Sequence, residues 1–246
     1  MADWLLLLAA AFFAGALNAV AGGGSFLTLA ALIAVGVDAV SANASGTLAL
    51  LPGYAASTWG YRDELHPLPG LSLPAMLGVG LVAGAAGALL LLATPGAVFR
   101  FLVPWLILAA TAAFAIGPRM LAAVGGFTPG PALATGVLAV VCCYGGYFNG
   151  GLGILLLAAF ALLGGTNLQA MNGLKNLVSM ALTLVAVLVY IIGGTIVWLP
   201  ALTMMVAAIA GGYAGARGAQ RMSANWLGGL IVAIGLILAA VFFATG

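Results

Sequence analysis

Charge is what this sequence has least of. Its 246 residues include 6 lysines and arginines, 4 acidic residues and 1 histidine, so only 4% of the chain is charged. A soluble domain carries roughly 25% charged residues, and a chain this poor in charge cannot present a solvated surface all round. The net charge of +2 is too small to suggest a nucleic-acid partner.

Residues that bind metals or carry redox chemistry are also scarce. One histidine cannot provide paired metal or haem ligands, and the adjacent Cys142 and Cys143 match no metal or redox spacing. The cysteines are expected to be small apolar fillers of a helix. No phosphate-binding loop, nucleophile elbow or deep pair of aspartates is visible. We therefore expect neither an enzyme nor a cofactor or metal site.

Long apolar runs are abundant instead. Apolar residues make up 65% of the chain and the mean hydropathy is +1.29. Runs such as 71–93 and 226–243 have the length of about 20 residues that a helix needs to cross a bilayer. The alternation typical of a membrane strand is absent. The sequence predicts an all-α integral membrane protein whose first 21 residues are mature structure, since Asp3 and the lack of a basic residue there do not fit a secretory signal.

A glycine-rich interruption occurs twice in this apolar sequence. Three residues of the first copy recur at a constant offset in the second, where Gly15, Asn18 and Gly22 return as Gly146, Asn149 and Gly153. A duplicated break within membrane-spanning sequence is typical of transporters built from two repeats, with the site where the helices are interrupted.

Hydropathy and helix breakers predict ten helical segments, five in each half. The predicted segments are 3–20, 25–36, 39–61, 70–93 and 97–117, then 132–149, 152–164, 167–192, 195–216 and 225–245. The halves are a first membrane repeat over 1–118, a connecting loop over 119–131 and a second repeat over 132–246. The short first two segments of each half either cross as tilted helices or form a re-entrant hairpin near the midplane.

The predicted repeats are inverted relative to each other. The first two segments return the chain to its starting side and three crossings follow, so each half changes side. Inversion gathers most of the arginines on one side, namely Arg62, Arg119, Arg217 and Arg221, while Arg100 is the exception. Under the positive-inside rule that side is the cytoplasm, which leaves both termini outside.

Lys175 is the outstanding candidate for a functional residue. It lies about 12 Å into its predicted helix at a rise of about 1.5 Å per residue, without an acidic residue at comparable depth. A lysine at that depth snorkels to the interface, pairs or faces a wet cavity. The second and third possibilities favour an anionic substrate as its partner.

The glycine breaks offer a second element that suits an anion. A helix that begins after Gly22, Gly23 and Gly24 exposes N–H groups and the positive end of its dipole, and Ser25 can cap that end. The stretch 150–153 offers the same groups in the second half, so two helix N-termini can converge on one anion. Tight helix packing is the alternative role for these glycines.

Matched amides accompany the breaks. Asn18 and Asn149 either hold the broken backbone together or contact substrate. A second pair of matched regions aligns Asn43 with Asn172, and only the second copy contains a lysine. The predicted site is therefore asymmetric.

Three further features have more ordinary interpretations. Asp38 is expected to cap a helix at the interface rather than to carry protons. His66 is expected in a solvated loop. The glycine pairs at 80 and 84 and at 211 and 215 serve either a homodimer or packing within the chain.

The chain resembles the TauE/SafE sulfite exporter family, also called the toluene-sulfonate uptake permease family. The resemblance rests on Phe13-Ala14-Gly15 leading to Gly22-Gly23-Gly24-Ser25, on Ala44-Ser45-Gly46-Thr47-Leu48 leading into Gly60-Tyr61-Arg62, and on Asn172-Gly173-Leu174-Lys175-Asn176. It covers essentially the whole chain. It implies a secondary carrier for sulfite, sulfoacetate or other sulfonates, with export as the commonest assignment.

These observations combine into one hypothesis with two alternatives. The expected protein is an inner-membrane carrier that binds a small anion between its broken helices and works by alternating access. An anion channel and a carrier for small carboxylates are the alternatives. The predicted substrate-binding residues are Asn18, Gly22, Gly23, Gly24, Ser25, Asn43, Ser45, Thr47, Asn149, Gly151, Gly153, Asn172, Lys175 and Asn176.

Overall fold

The part of the chain that the structure describes is built from helices. The computed structural model describes residues 1–20, 22–68, 70–123 and 130–218, with residues 232–233, 236–237, 239–241 and 243 beyond them. The helices from the first half are α1 (Ala2–Val20), α2 (Ser25–Ala34), α3 (Ala39–Gly60), α4 (Leu73–Ala93) and α5 (Gly96–Ala123). Those from the second are α6 (Pro131–Tyr147), α7 (Leu152–Leu162), α8 (Leu168–Ile192) and α9 (Trp198–Gly218). No strand occurs in these residues, which agrees with the predicted all-α class.

The predicted segments match these helices closely, and the largest difference is at the end of α5. α5 continues to Ala123, past Gly117 and Pro118 that were expected to end it. The following Met120, Leu121 and Ala122 are good helix formers, so the helix enters the range predicted as a connecting loop. Residues 124–129 of that loop, Arg221 and most of the predicted segment 225–245 lie outside the described residues.

Five of the described helices are long and apolar enough to cross a membrane. The spans are Ala2–Ala19, Leu73–Ala93, Gly96–Ala113, Leu168–Ile192 and Trp198–Gly218. α2 and α7 have 10 and 11 residues, well short of the ~20 that a full crossing requires. The second segment of each half is therefore short, as expected. The first segment was also expected to be short, which is wrong for α1, because it is long enough to cross a membrane by itself.

The surface of the molecule is apolar where helices face outward. Val82, Ile192 and Val206 are at least 70% exposed, and each lies in the middle or at the end of a helix. In water such side chains would cost free energy, whereas hydrocarbon is a favourable surrounding for them. This outward apolar surface fits a protein that lies in a bilayer.

The two halves of the chain exchange helices. α1 and α3 from the first half pack against α9 of the second, and α4 from the first half packs against α6 and α8 of the second. One bundle therefore contains α1, α2, α3 and α9, and the other contains α4, α6, α7 and α8, with α5 against α7. We call them the first and second bundle.

The paired glycines serve these internal contacts. A Cβ at Gly211 would overlap the backbone of Phe12, and one at Gly215 would lie 2.5 Å from the carbonyl oxygen of Ala16, so both glycines let α9 approach α1. Gly84 in turn lets α4 approach Leu182 of α8, where a Cβ would lie 2.8 Å from that side chain. Of the two roles considered for these glycines, packing within the chain is the one observed.

α3 and α8 lie in contact at the centre and run in opposite directions. Near the start of α8, a Cβ at Gly173 would lie 3.3 Å from that of Tyr61, at the end of α3. Near the start of α3, the hydroxyl of Ser45 accepts a 2.8 Å hydrogen bond from the backbone N–H of Val197, just past the end of α8. These two helices carry the matched polar regions, so their contact places both regions within the core.

Candidate functional site

The two glycine breaks cross each other in direct backbone contact. Gly22 has a positive φ of 90°, and a Cβ there would lie 2.7 Å from the backbone nitrogen of Ile154 and would overlap Gly153. A Cβ at Gly153 would lie 2.5 Å from the Cα of Gly22. Two matched glycines therefore touch, because only hydrogen atoms in place of side chains let the chains approach so closely.

Asn18 and Asn149 are joined through one tyrosine of α3. The amide nitrogen of Asn18 donates to the hydroxyl of Tyr54 over 3.2 Å, and that hydroxyl donates to the amide oxygen of Asn149 over 3.1 Å. The amide oxygen of Asn18 accepts a 2.8 Å bond from the backbone N–H of Gly24. The bond from Gly24 makes Asn18 a group that holds its own broken backbone, whereas the side chain of Asn149 bonds to Tyr54 alone. The side-chain nitrogen of Asn149 remains buried without a partner.

Ser25 links the two breaks instead of capping its own helix. Its hydroxyl donates to the carbonyl oxygen of Asn149 over 2.7 Å and accepts a 3.3 Å bond from the N–H of Gly151. The N-cap residue of α2 is Gly24, so no side chain at that position accepts a hydrogen bond from the first turn. The expectation that Ser25 caps α2 is therefore wrong, because its hydroxyl bonds to the other break. The N-termini of α2 and α7 do lie side by side, as the duplicated breaks predicted.

Lys175 is completely buried and is held by the end of α1. Its ammonium donates to the carbonyl oxygens of Asn18 and Ala19, over 2.8 and 3.4 Å, and to the amide oxygen of Asn172 over 3.0 Å. The last carbonyls of a helix lack partners within it and carry the negative end of its dipole, so they suit a cation. This geometry excludes snorkelling to the interface. No carboxylate is among these partners, so the positive charge is hydrogen-bonded but not neutralised.

The ends of α1 and α6 each accept a hydrogen bond from an asparagine of the opposite half. The side-chain nitrogen of Asn176, on α8, donates to the carbonyl oxygen of Ala19 over 3.4 Å. The side-chain nitrogen of Asn43, on α3, donates to the carbonyl oxygen of Tyr147 over 3.2 Å. The position matched to Lys175 is Gly46, where a Cβ would lie 2.9 Å from the hydroxyl oxygen of Thr28. A side chain at this position would therefore displace Thr28, and the lysine of the second half has no counterpart in the first.

Two predicted residues have their hydroxyl partners away from the breaks. The hydroxyl of Ser45 accepts from the backbone N–H of Val197, just before α9. The hydroxyl of Thr47 donates to the carbonyl oxygen of Asn43 in its own helix over 2.7 Å. Gly23 and Gly151 are buried within the breaks, and Gly151 has a φ of 73° as the N-cap of α7. The remaining predicted residues meet around the crossing.

Two tyrosines at the site were not among the predicted residues. Tyr54 bridges the matched amides, and the hydroxyl of Tyr190 donates to the carbonyl oxygen of Gly146 at the end of α6. Both rings are buried. A tyrosine in an apolar helix needs a partner for its hydroxyl, and that requirement is the signal that could have found them.

Other sequence expectations can be checked outside the crossing. Asp38 is the N-cap of α3 and accepts a 3.0 Å bond from the N–H of Ser41, which confirms the capping role. His66 is exposed in the loop before α4. Cys142 and Cys143 are free thiols in α6. The described residues contain no group of three or more side chains suited to hold a metal.

The crossing brings together one buried lysine ammonium, the N-termini of two short helices and the unpartnered side-chain nitrogen of Asn149. Donors in a low-dielectric interior act more strongly on a charge than donors in water do. Every bond between the breaks joins the first bundle to the second.

Comparison with known proteins gives a consistent result. A family described as sulfite exporter TauE/SafE matches residues 7–242. A probable membrane transporter protein, ORF9, from a Sinorhizobium species is 26% identical, covering 95% of this chain and 89% of the relative. The probable membrane transporter YfcA of Escherichia coli K12 is also 26% identical, over 96% of this chain and 89% of its own length. A probable membrane transporter of Haemophilus influenzae is 28% identical, over 86% and 83%. No solved structure matches the chain.

Proposed function

Because the chain belongs to the TauE/SafE sulfite exporter family, we propose that it is a secondary carrier that exports small sulfur-containing anions, such as sulfite, sulfoacetate or other sulfonates, across the inner membrane. The observation that carries this proposal is the buried ammonium of Lys175, whose three oxygen partners leave its charge without a counter-ion. A small anion would supply the missing charge. The amides and helix N-termini of the crossing would supply hydrogen bonds.

The proposed binding residues are those predicted from the sequence, centred on Lys175. In this structure the ammonium is bonded to the end of α1. An anion that draws it away would release two carbonyls of α1 and so loosen one break. Binding would thereby be coupled to the separation of the two bundles, since the bonds made by Ser25, Tyr54 and Lys175 all cross between them.

We further propose that the two halves are inverted repeats, with residues 1–118 and 132–246 as the repeat units. The antiparallel α3 and α8 support this, because they carry the matched regions. The exchanged packing supports it as well: α1 on α9 corresponds to α6 on α4, and α3 on α9 to α8 on α4. Alternating access would then be a movement of the first bundle against the second. The proposed orientation has Arg62 in the cytoplasm and both termini outside.

Anion flux in proteoliposomes tests the role of Lys175. We expect saturable efflux of sulfite or sulfoacetate by the wild type and its loss in Lys175→Ala and Lys175→Met, of which the second keeps most of the side-chain volume. Arg62→Gln is the matched control, since it removes a positive charge from an exposed loop. Undiminished flux in both Lys175 variants would exclude the proposed role.

A thermal-shift panel of sulfur oxyanions, sulfonates and carboxylates separates the alternatives. Stabilisation by sulfite or sulfonates above carboxylates supports the proposed substrate class, whereas the reverse order favours a carboxylate carrier. Flux that does not saturate, or single-channel currents, would favour an anion channel.

A further inference from the structure

The buried hydroxyls of α8 differ from most others in the described helices. Helical serines and threonines here generally donate to the carbonyl four residues earlier: Thr47 to Asn43, Ser57 to Gly53, Thr58 to Tyr54, Thr135 to Pro131 and Thr203 to Leu199. Ser179 and Thr183 do not. Both are completely buried and both hydroxyl oxygens lack a partner. Thr111 on α5 shares this property.

The amide oxygen of Asn176 completes the set on α8. It is also buried without a partner, while the nitrogen of the same amide donates to Ala19. Asn176, Ser179 and Thr183 follow each other at intervals of three and four residues, so they share one face of the helix. In the interior of a membrane protein an unpartnered polar atom costs several kcal/mol. Packing alone does not explain three unpartnered polar atoms on one face of a helix.

The position of this face relates it to the crossing. At one end, Asn176 bonds to the end of α1, and at the other end Tyr190 bonds to the end of α6. Ser179 and Thr183 lie on α8 between these two contacts, roughly 5 and 10 Å beyond Asn176 at about 1.5 Å per residue. The face therefore leads from the lysine, past the crossing, toward the end of α8 at Ile192.

We propose that Asn176, Ser179 and Thr183 form a polar track along which the transported anion moves after it leaves Lys175. The two hydroxyls donate hydrogen bonds to its oxygen atoms, and the amide oxygen of Asn176 accepts from water or from a protonated oxygen of the anion. The track suits a small oxyanion that accepts several hydrogen bonds at once. The inference rests on the proposed function for the identity of the cargo, but not for the existence of the track.

Cysteine accessibility tests the track without reference to the cargo. Ser179→Cys, Thr183→Cys and Ser57→Cys are made singly in a Cys142→Ala, Cys143→Ala background and treated with a negatively charged and a positively charged methanethiosulfonate. Ser57 is the matched control, since it is a buried serine whose hydroxyl already has a partner. We expect modification at 179 and 183, faster with the negative reagent, slower in the presence of sulfoacetate, which unlike sulfite does not react with the reagent, and absent at 57.

Flux supplies the second measurement. Ser179→Ala and Thr183→Val should each lower the maximal rate of sulfite efflux about tenfold or more, as expected when a hydrogen bond to a charged group is lost. Ser57→Ala should leave the rate unchanged, and sulfite should still stabilise the Ser179 and Thr183 variants because Lys175 is intact.

The outcomes separate the two proposals. Cysteines at 179 and 183 that react no faster than the one at 57 would overturn the track, and so would full modification combined with unchanged flux in the alanine and valine variants. A protein that carries none of the anions tested, yet is modified at 179 and 183 preferentially by the negative reagent, would keep the track and lose the proposed cargo.

Discussion

At the scale of single residues, Lys175 shows how a charge can be buried without an acidic partner. Moving an ammonium out of water costs several kcal/mol, and an acid would offset much of it. The end of α1 offers partial negative charge and two carbonyls instead. Carbonyls at a helix end compensate the charge less completely than a carboxylate does. Lys175 is therefore held in place without a counter-ion, and the proposed anion is the group that would supply the missing negative charge.

Tyr54 is predicted to be the residue whose single hydroxyl matters most for the cohesion of the site. Tyr54→Phe removes the shared partner of the Asn18 and Asn149 amides and leaves polar atoms of both buried, at about 1–3 kcal/mol for each unsatisfied group. We expect the melting temperature to fall by several degrees. Tyr213→Phe, on the exposed face of α9, is the control and should melt like the wild type. Equal melting of the two variants would show that the bridge is dispensable.

At the scale of helices and breaks, the sequence was informative about what is local. Apolar length predicted the helices, and the recurrence of Gly22 as Gly153 predicted the breaks. What it left undetermined is which distant groups meet. Ser25 has the pattern of an ordinary cap, and only the neighbouring break gives it a different partner. Local pattern likewise does not show that α9 crosses to the first half, since that depends on contacts between elements far apart in the chain.

The close approach of the breaks predicts different outcomes for two glycines with the same backbone conformation. Gly22 and Gly36 have φ values of 90° and 88°. A Cβ at Gly36 meets nothing within 4 Å, whereas one at Gly22 overlaps Gly153. Gly36→Ala should cost only the left-handed strain of about 1–2 kcal/mol. Gly22→Ala adds the displacement of a backbone, so it should fold poorly or melt far lower. The comparison is made by thermal unfolding in detergent.

Gly153 makes the same contact from the second half of the chain. Gly153 lies within α7 and carries no left-handed strain. Gly153→Ala should still lower the melting temperature far more than Gly36→Ala, because its Cβ would lie 2.5 Å from the Cα of Gly22. A tolerated Gly153→Ala alongside a damaging Gly22→Ala would assign the effect to backbone strain at Gly22 rather than to the contact of the two breaks.

At the scale of the whole molecule, the exchange of helices decides what can move. Neither half of the chain is a packing unit, because α9 completes the first bundle and α4 the second. The bonds that join the bundles are concentrated at the crossing, and the groups that make them are the ones proposed to bind substrate. In the proposed mechanism, loss of those bonds on binding links the site to the movement of the bundles.

Inversion of the repeats makes a prediction that a labelling experiment can decide. Ala34, at the end of α2, and Thr166, before α8, are exposed at corresponding ends of the two halves, where the chain passes from the second segment to the third. Inverted repeats place them on opposite sides of the membrane, whereas parallel repeats place them on the same side. In a Cys142→Ala, Cys143→Ala background, Ala34→Cys should react in intact cells with a thiol reagent that cannot cross the membrane. Thr166→Cys should react only after lysis, together with Glu64→Cys in the loop that holds Arg62. Reaction of Ala34→Cys and Thr166→Cys from one side would exclude inversion, and with it the proposed alternating access between two inverted halves.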